Sequence, residues 1–404
     1  MEVIVIGGGA AGMMAALYAA YSGADVKLIE QRKSLGEKLS ITGNGRCNIT
    51  NLRLLNEPGS SYLVSDQDKK VVDDIFAKVG VNETLETFKK LGLITKDRDG
   101  LVYPKSDQAK AVNEALVCGL KHAGVEIILD CMVKDIVKEN KFTVITTKGN
   151  FVSDRCICAF GSKARPKIGG SDKGYYILSK LGHSVNDIKP GLVQLVAAND
   201  RLRDLKGVRA DASLTLLDDD KIIYKEDGEL QFTEYGLSGV VSMDISNYLI
   251  KCKGDASIDI DLAAGIDKDE LCKLIIDSKN RYKGEKVDKV ISFILHEKIA
   301  TKLCKLADID PAMDVSQIAE EDINHLVDMI KKLNVPIKGT NGFDEAQISL
   351  GGIPVSEVKA NMESIFIAGL YIVGETLDVH GGCGGYNLQW AFSTGQTAGS
   401  FANQ

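Results

Sequence analysis

Gly7, Gly9 and Gly12 stand at the spacing G-x-G-x-x-G, directly after the apolar run Glu2 to Ile6 (EVIVI) and at the opening of a stretch with helical spacing from Ala10 to about Ser22. The chemistry this spacing serves is phosphate binding. Gly7 permits a tight turn, Gly9 lets backbone N–H groups approach a pyrophosphate, and Gly12 lets the helix lie close on the strand. The helix N-terminus attracts the anion through its unpaired N–H groups and its dipole. Glu30 closes a second strand, Asp25 to Glu30, at the distance where an acid accepts hydrogen bonds from ribose hydroxyls. An acid there suits a free 2′-hydroxyl and argues against a 2′-phosphate.

Two further segments decide which dinucleotide is meant. Gly36 to Asn51 (GEKLSITGNGRCNITN) offers donors at Ser40, Thr42, Asn44, Arg46 and Asn48 on a glycine-rich backbone, and reads as a loop past which a polar ligand runs. Gly374 to Thr397 (GETLDVHGGCGGYNLQWAFSTGQT) follows a strand, carries Glu375 and Asp378, and leads through glycines into a helix. Such a turn places Asp378 near ribityl hydroxyls and aims the amides of Gly385, Tyr386, Asn387 and Leu388 at the pyrimidine edge of a flavin, where reduction builds negative charge. A nicotinamide cofactor needs no second grip from the far end of the chain, so the two turns point to FAD.

Candidates for the chemistry itself are weaker. Tyr235, in QFTEYGLSG, is a candidate general acid, set against a strand-end aromatic filling a domain junction; His380 is a candidate proton donor or covalent flavin anchor, set against a plain loop histidine. Arg46 suits a phosphate or a substrate carbonyl, or is an exposed loop arginine. Cys47 and Cys383 lie in the two flavin-facing loops, while Cys156 and Cys158 share a strand face and read as core. No C-x-x-C is present, which disfavours a dithiol-based reductase. No second G-x-G-x-x-G follows a strand, so NADH or NADPH would dock only transiently as electron donor. No cluster has metal-ligand spacing and no Ser/His/Asp arrangement stands out.

The elements that must position these residues are of the α/β class: a split Rossmann-type FAD-binding domain with an inserted β-rich domain and a helical subdomain. Residues 68 to 92 and 107 to 123 read as amphipathic helices, and 125 to 158 as strands of a small sheet. Residues 192 to 248 read as antiparallel strands, with turns at Asp218-Asp219-Asp220 and near Asp227-Gly228, and 267 to 333 as helices. The expected boundaries are 1–190 and 341–404 for the FAD domain, 191–260 and 335–340 for the β-rich insert, and 261–334 for the helical part. Substrate is expected where domains join.

Composition narrows the partners. A chain of 404 residues is long enough for two or three cores, and 44 % apolar with 26 % charged residues is ordinary for a globular protein. A net charge of -7 gives no broad attraction to nucleic acid or to an anionic membrane, so a small-molecule substrate is expected, with no nucleic-acid and no membrane partner. Nine cysteines, an odd number, suggest reduced thiols and a cytoplasmic setting. No signal peptide and no run of about 18 apolar residues is seen. Oligomeric state is not legible.

Taken together, VIGGGAAGMMAA, KLSITGNGRCNITN and GLYIVGETLDVHGGCGGYNLQWAFSTGQTAG resemble the HI0933-like family of flavoproteins, over essentially the whole chain. The resemblance implies FAD held by Gly7, Gly9, Ala11, Gly12, Glu30, Gln31 and Lys38, by the loop Thr42, Gly43, Asn44, Gly45, Arg46, Cys47 and Asn48, and by Val133 at the adenine end. It adds Gly161, Gly374, Glu375, Asp378, Gly384, Gly385, Tyr386, Asn387 and Leu388. After the strand ending near Ala159 this chain has Gly161-Ser162 where a second glycine is more usual. The activity implied is reduction of a C=C bond conjugated to a ketone, as in a 3-oxo-Δ4 dehydro-bile acid, with electrons from NAD(P)H. The alternatives are an aminoacetone-type amine oxidase using oxygen, or a non-catalytic flavin-binding or tRNA-modification partner.

Overall fold

A strand that is apolar on both faces has to be covered on both, and EVIVI is such a strand. In the computed structural model, which describes residues 1–56 and 58–403, Glu2–Ile6 is the middle of a five-stranded parallel sheet. The order across it is Leu370–Ile372, Arg155–Cys158, Glu2–Ile6, Asp25–Ile29, Glu126–Ile128. The registers Val3 to Arg155 and Val3 to Val26 fix the central strand between its neighbours. This sheet belongs to a unit formed by 1–190 and 346–404; a second unit comprises 191–345. The fold is α/β with a Rossmann-type sheet.

One face of the sheet is covered by the first helix, Ala10–Tyr21, whose small apolar residues Ala11, Ala15, Ala16 and Ala19 are buried. The last helix, Tyr386–Phe401, packs on it at backbone contact: a Cβ on Gly395 would collide with the carbonyl of Ala11, and one on Gly399 with that of Ala15. The two ends of the chain are thereby joined through glycines four residues apart on one helix face.

Several expectations for this unit change. Of the strands between 125 and 158, Glu126–Ile128 and Arg155–Cys158 pair in the parallel sheet, leaving only Val133–Lys138, Phe142–Thr146 and Gly149–Ser153 as an antiparallel meander. Alternation alone does not say which neighbour a strand takes. Residues 68 to 92 form two helices, Asp66–Phe76 and Val81–Lys90, because Gly80 starts the second one. The Ser34 to Asn51 loop contains a 3-10 turn, Leu39–Ile41, and a single turn, Thr42–Gly45, whose Gly43 and Asn44 are left-handed.

The second unit is a closed antiparallel barrel of six strands: Leu195–Ala197, Gly236–Ser238, Lys221–Phe232, Arg209–Asp218, Ala256–Asp261 and Leu333–Thr340. The turn at Asp219-Asp220 is present, but none occurs at Asp227-Gly228: Lys221–Phe232 runs straight through, and Gly228 lies against Val241. Val241 lies on a helix, Val240–Ser246, inside the stretch expected to be all strand. The helices Lys268–Arg281, Val287–Ile291, Glu297–Leu306 and Glu320–Lys331 bury Leu271, Ile299, Leu303 and Leu326 in one core with the barrel. Among the described residues no helix is long and apolar enough to cross a membrane.

Candidate cofactor-binding site

The turn after the first strand is made by Gly7 at φ 101°, a left-handed conformation for which glycine has no Cβ penalty. Gly7 donates to Ile29 O at 2.8 Å, which ties the turn to the second strand. A Cβ on Gly12 would strike the Gly7 carbonyl, so helix and turn touch through backbone alone. Gly9 is different. It caps the helix with ordinary φ -80°, and beyond its own chain neighbours and helix a Cβ there would meet no atom of the described residues within 4 Å. The helix has no side-chain cap and no acid in its first turn, so its N-terminal amides remain available to an anion.

Around that turn lies a groove of about 150 Å³ lined by Gly7, Gly9, Glu30, Gln31, Lys38, Val133, Gly161 and Glu375, together with Phe160 and Lys173. Eight of the expected site residues, spread over some 370 positions of sequence, thus share one groove. Glu30 accepts from Gly8 N at 2.6 Å and from Arg32 N at 2.7 Å. Burial pushes its carboxyl up, against the pull of those two amides. The acid therefore shapes the turn as well as facing the groove. Gly161, at φ 70°, has open space where a Cβ would lie, and the serine after it braces the second glycine turn, since Ser162 Oγ donates to Glu375 at 2.7 Å.

The second glycine turn is held by side chains. Glu375 takes Lys38 Nζ at 2.7 Å and Ser349 N at 3.1 Å besides Ser162. Asp378 takes His380 Nε2 at 2.7 Å and Asn186 Nδ2 at 2.6 Å. Burial raises its carboxyl, but the hydrogen bond and charge of His380, with Asn186, outweigh that and hold it below the ordinary range. The neighbouring Tyr175 hydroxyl is pushed up by burial and by the two acids. Asn387 closes the turn on itself, accepting from Gly381 N at 2.9 Å and donating to Gly381 O at 2.9 Å. Tyr62 donates to Tyr386 O at 2.8 Å, and Asn51 to Gly384 O at 3.0 Å. Gly385, at φ 92°, sits so close to Thr50 that a Cβ would press on its carbonyl.

His380 is not a loop histidine. It lies on a two-residue strand paired with Tyr62 and Leu63, is only 3 % exposed, and its Nδ1 has no hydrogen-bond partner among the described residues. Asn48 Oδ1 and Thr50 Oγ1, both next to Gly385, are buried and without a partner among the described residues too. Three orphaned polar atoms beside an uncapped helix, Tyr386–Phe401, fit a polar ligand at this turn. Thr42, Gly43, Asn44, Gly45 and Arg46 are exposed or half-exposed, whereas Cys47 is buried, its thiol pushed up to about 12 by desolvation. Ala11 is buried beneath the Gly374 turn, and Leu388 packs against the core. Cys156 and Cys158 are fully buried core residues. Tyr235 belongs to the other unit, 37 % exposed beside a small recess with Arg201 and Arg203.

What the residue types alone did not reveal is the supporting set: Ser162, Asn186, Tyr62, Asn51 and Ser349. Each acts on a partner 26 to 333 positions away, and no local spacing announces such a pair.

A parallel sheet with a glycine turn and an open helix N-terminus at each end of the chain defines a Rossmann-type dinucleotide-binding oxidoreductase of the FAD-dependent class. The chain belongs to the HI0933-like family, whose Rossmann-domain model matches residues 1–401. It is 35 % identical to a 3-dehydro-bile acid Δ(4,6)-reductase of Clostridium scindens, covering 98 % of both chains. It is 28 % identical to a ribosomal RNA dihydrouridine synthase of Escherichia coli, over 97 % of this chain and 96 % of the relative. Among solved structures it resembles the fold of a 3-ketosteroid Δ4-(5α)-dehydrogenase from Rhodococcus jostii, with TM-score 0.54, 16 % identity, and coverage of 100 % and 97 %.

Proposed function

We propose that the protein uses FAD to reduce a C=C bond conjugated to a carbonyl, drawing electrons from NADH or NADPH, with a 3-oxo-Δ4 enone of the dehydro-bile-acid type as substrate. The observation that carries this reading is the full-length 35 % identity to a reductase of that chemistry, in a chain whose two glycine turns supply an open phosphate site and a polar, pinned second turn. Bound FAD supplies hydride transfer. Gly7, Gly9 and the first helix N-terminus would take the pyrophosphate; Glu30, Gln31 and Val133 the adenosine end. Asn48, Asp378 and the amides from Gly385 to Leu388 would take the flavin end.

Hydride addition at the β-carbon of an enone leaves charge on the carbonyl oxygen and calls for a proton at the α-carbon. Of the three weak candidates, His380 is the best suited, because Asp378 fixes its orientation through Nε2 and leaves Nδ1 without a protein partner. The test is anaerobic stopped-flow mixing of the yellow protein with NADH and with NADPH, then with a 3-oxo-Δ4 bile acid. Bleaching of the flavin band by a nucleotide and its return with the enone is the expected result. No bleaching, with rapid reoxidation of dithionite-reduced protein by oxygen in the presence of an amine, would favour the oxidase.

A second reading has its own support. The C5=C6 bond of uracil is conjugated to the C4 carbonyl, so a relative named for rRNA dihydrouridine formation performs the same kind of reduction on a different carrier. The feature of this chain that favours it is a basic, aromatic-bearing stretch of the second unit.

A further inference from the structure

Net charge conceals how charge is distributed. Between Lys273 and Lys305 the chain carries nine Lys and Arg against four Asp and Glu, an excess of five positive charges in a protein of net charge -7. Within that stretch Lys289 pairs with Glu285 and Lys302 with Asp204, but Lys283, Lys286, Lys298 and Lys305 are exposed and have no carboxylate partner among the described residues. Of the acids that follow, Asp314 accepts from Gly284 N and Ser316 N and Asp328 pairs with Lys268, while Glu320, Glu321 and Asp322 open the last helix of this unit and stand exposed.

Lys289, Lys298, Lys302 and Lys305 line an open cavity of about 500 Å³ in this unit, against three acids, Asp204, Asp288 and Glu297, of which Asp204 is paired with Lys302 and Asp288 accepts from Thr301. Next to Ser292, Phe293 stands 58 % exposed, its ring edge-on to Tyr282 at 5.4 Å. The ring and its Tyr282 neighbour lie in the same stretch of chain as the lysines without a carboxylate partner among the described residues, Tyr282 next to Lys283 and Phe293 next to the cavity-lining Ser292. Cations that track a backbone and an aromatic face that takes a base are the two parts of a single-strand nucleic-acid site.

We propose that this face, built from Tyr282, Phe293, Lys283, Lys286, Lys298 and Lys305, docks single-stranded or loop RNA, with phosphates on the lysines and a base on Phe293. The inference rests on the second reading above and adds to it the surface that would recognise the RNA. A polyanion with accessible bases is favoured over an acidic protein because charge alone leaves the exposed ring uncovered.

The test uses the full-length, FAD-loaded protein and a fluorescein-labelled, uracil-rich single-stranded RNA of about 20 nucleotides, read by anisotropy across a salt series. The quadruple variant K283E/K286E/K298E/K305E is expected to bind at least tenfold more weakly, with the salt slope of log K reduced by about 0.7 per lysine lost. Phe293→Ala should lose roughly fivefold or more for the single strand. Lys121→Glu, exposed on a helix of the other unit, should bind as wild type. Unchanged flavin absorbance and melting temperature show that each variant is folded. No binding by wild type, binding indifferent to the quadruple change, or displacement by polyglutamate with no effect of Phe293→Ala would overturn the proposal.

Mass spectrometry of the RNA after incubation with NADPH separates the surface from the reading. Binding through this face without dihydrouridine sinks the uracil reading and keeps the surface. Dihydrouridine formed equally by the quadruple variant keeps the reading and sinks the surface.

Discussion

The two glycine turns follow the same plan of strand, turn and helix, yet they are stabilised in opposite ways. At the first, backbone does the holding: Gly7 is bonded to Ile29, Gly12 rests on Gly7, and the acid Glu30 accepts two amides of its own turn. At the second, side chains from remote segments hold it: Lys38 and Ser162 on Glu375, Asn186 and His380 on Asp378, Tyr62 on Tyr386. The backbone-built turn excludes a side chain at Gly7 and at Gly12; the one held by side chains can lose a contact and persist. The first suits a ligand part that is the same in every dinucleotide, the second a part whose electronics must be set.

Substitution at the backbone-built turn should have the largest effect. Gly12→Val forces a Cβ and two methyls against the Gly7 carbonyl and Ala159, and overpacking of this kind costs about 1–3 kcal/mol. The expected outcome is a lower melting temperature and a colourless protein. Lys38→Met at the other turn removes one partner of Glu375 but leaves Ser162 and Ser349, and because the pair is partly exposed the loss should stay near 1 kcal/mol, read as a smaller shift in melting temperature.

The acids offer a sharper contrast, since their titrations run in opposite directions. Glu30 has its carboxyl raised by burial, so the folded chain binds more protons than the unfolded one above the ordinary glutamate value of about 4.3, and stability falls as pH rises through that window. Asp378 is lowered, so its contribution is present above the ordinary aspartate value of about 3.9 and is lost as pH falls through its folded value. Glu30→Gln should flatten the first slope while costing about 1–3 kcal/mol for the amide left unpaired. Asp378→Asn should flatten only the acid limb, in melting curves taken from pH 3 to 7.

The smallest effect concerns Cys47. With its thiol pushed up to about 12, it should resist iodoacetamide at pH 8 while the exposed Cys118 is alkylated, as peptide mapping would show.

This contrast also explains what was legible in the sequence. The first turn could be read because its determinants, Gly7, Gly9, Gly12 and Glu30, act at short fixed spacings on local backbone. The family motifs brought the second turn into view, but not its anchors, because Asn186 to Asp378 spans 192 positions and Tyr62 to Tyr386 spans 324. The barrel was seen as strands, and its closure was not. A turn expected at Asp227-Gly228 failed because both residues stay in the ladder, Asp227 opposite Ser213 and Gly228 opposite Ala212, so strand pairing overrides the local turn signal. Net charge, an average over 404 residues, said nothing about the basic stretch from Lys273 to Lys305.

Gly9 offers the most direct test of the claim that both turns grip one FAD, because a Cβ there meets no described atom from the rest of the fold and points into the space expected for the ligand. FAD should be titrated calorimetrically into deflavinated wild type, Gly9→Val and Asn48→Ala, the last removing a buried oxygen that has no partner in the protein. One FAD per chain for wild type, none for Gly9→Val, and about tenfold weaker binding for Asn48→Ala, all at equal apo-protein melting temperatures, is the predicted result. Wild-type affinity in Gly9→Val, or no FAD bound by wild type, would contradict it.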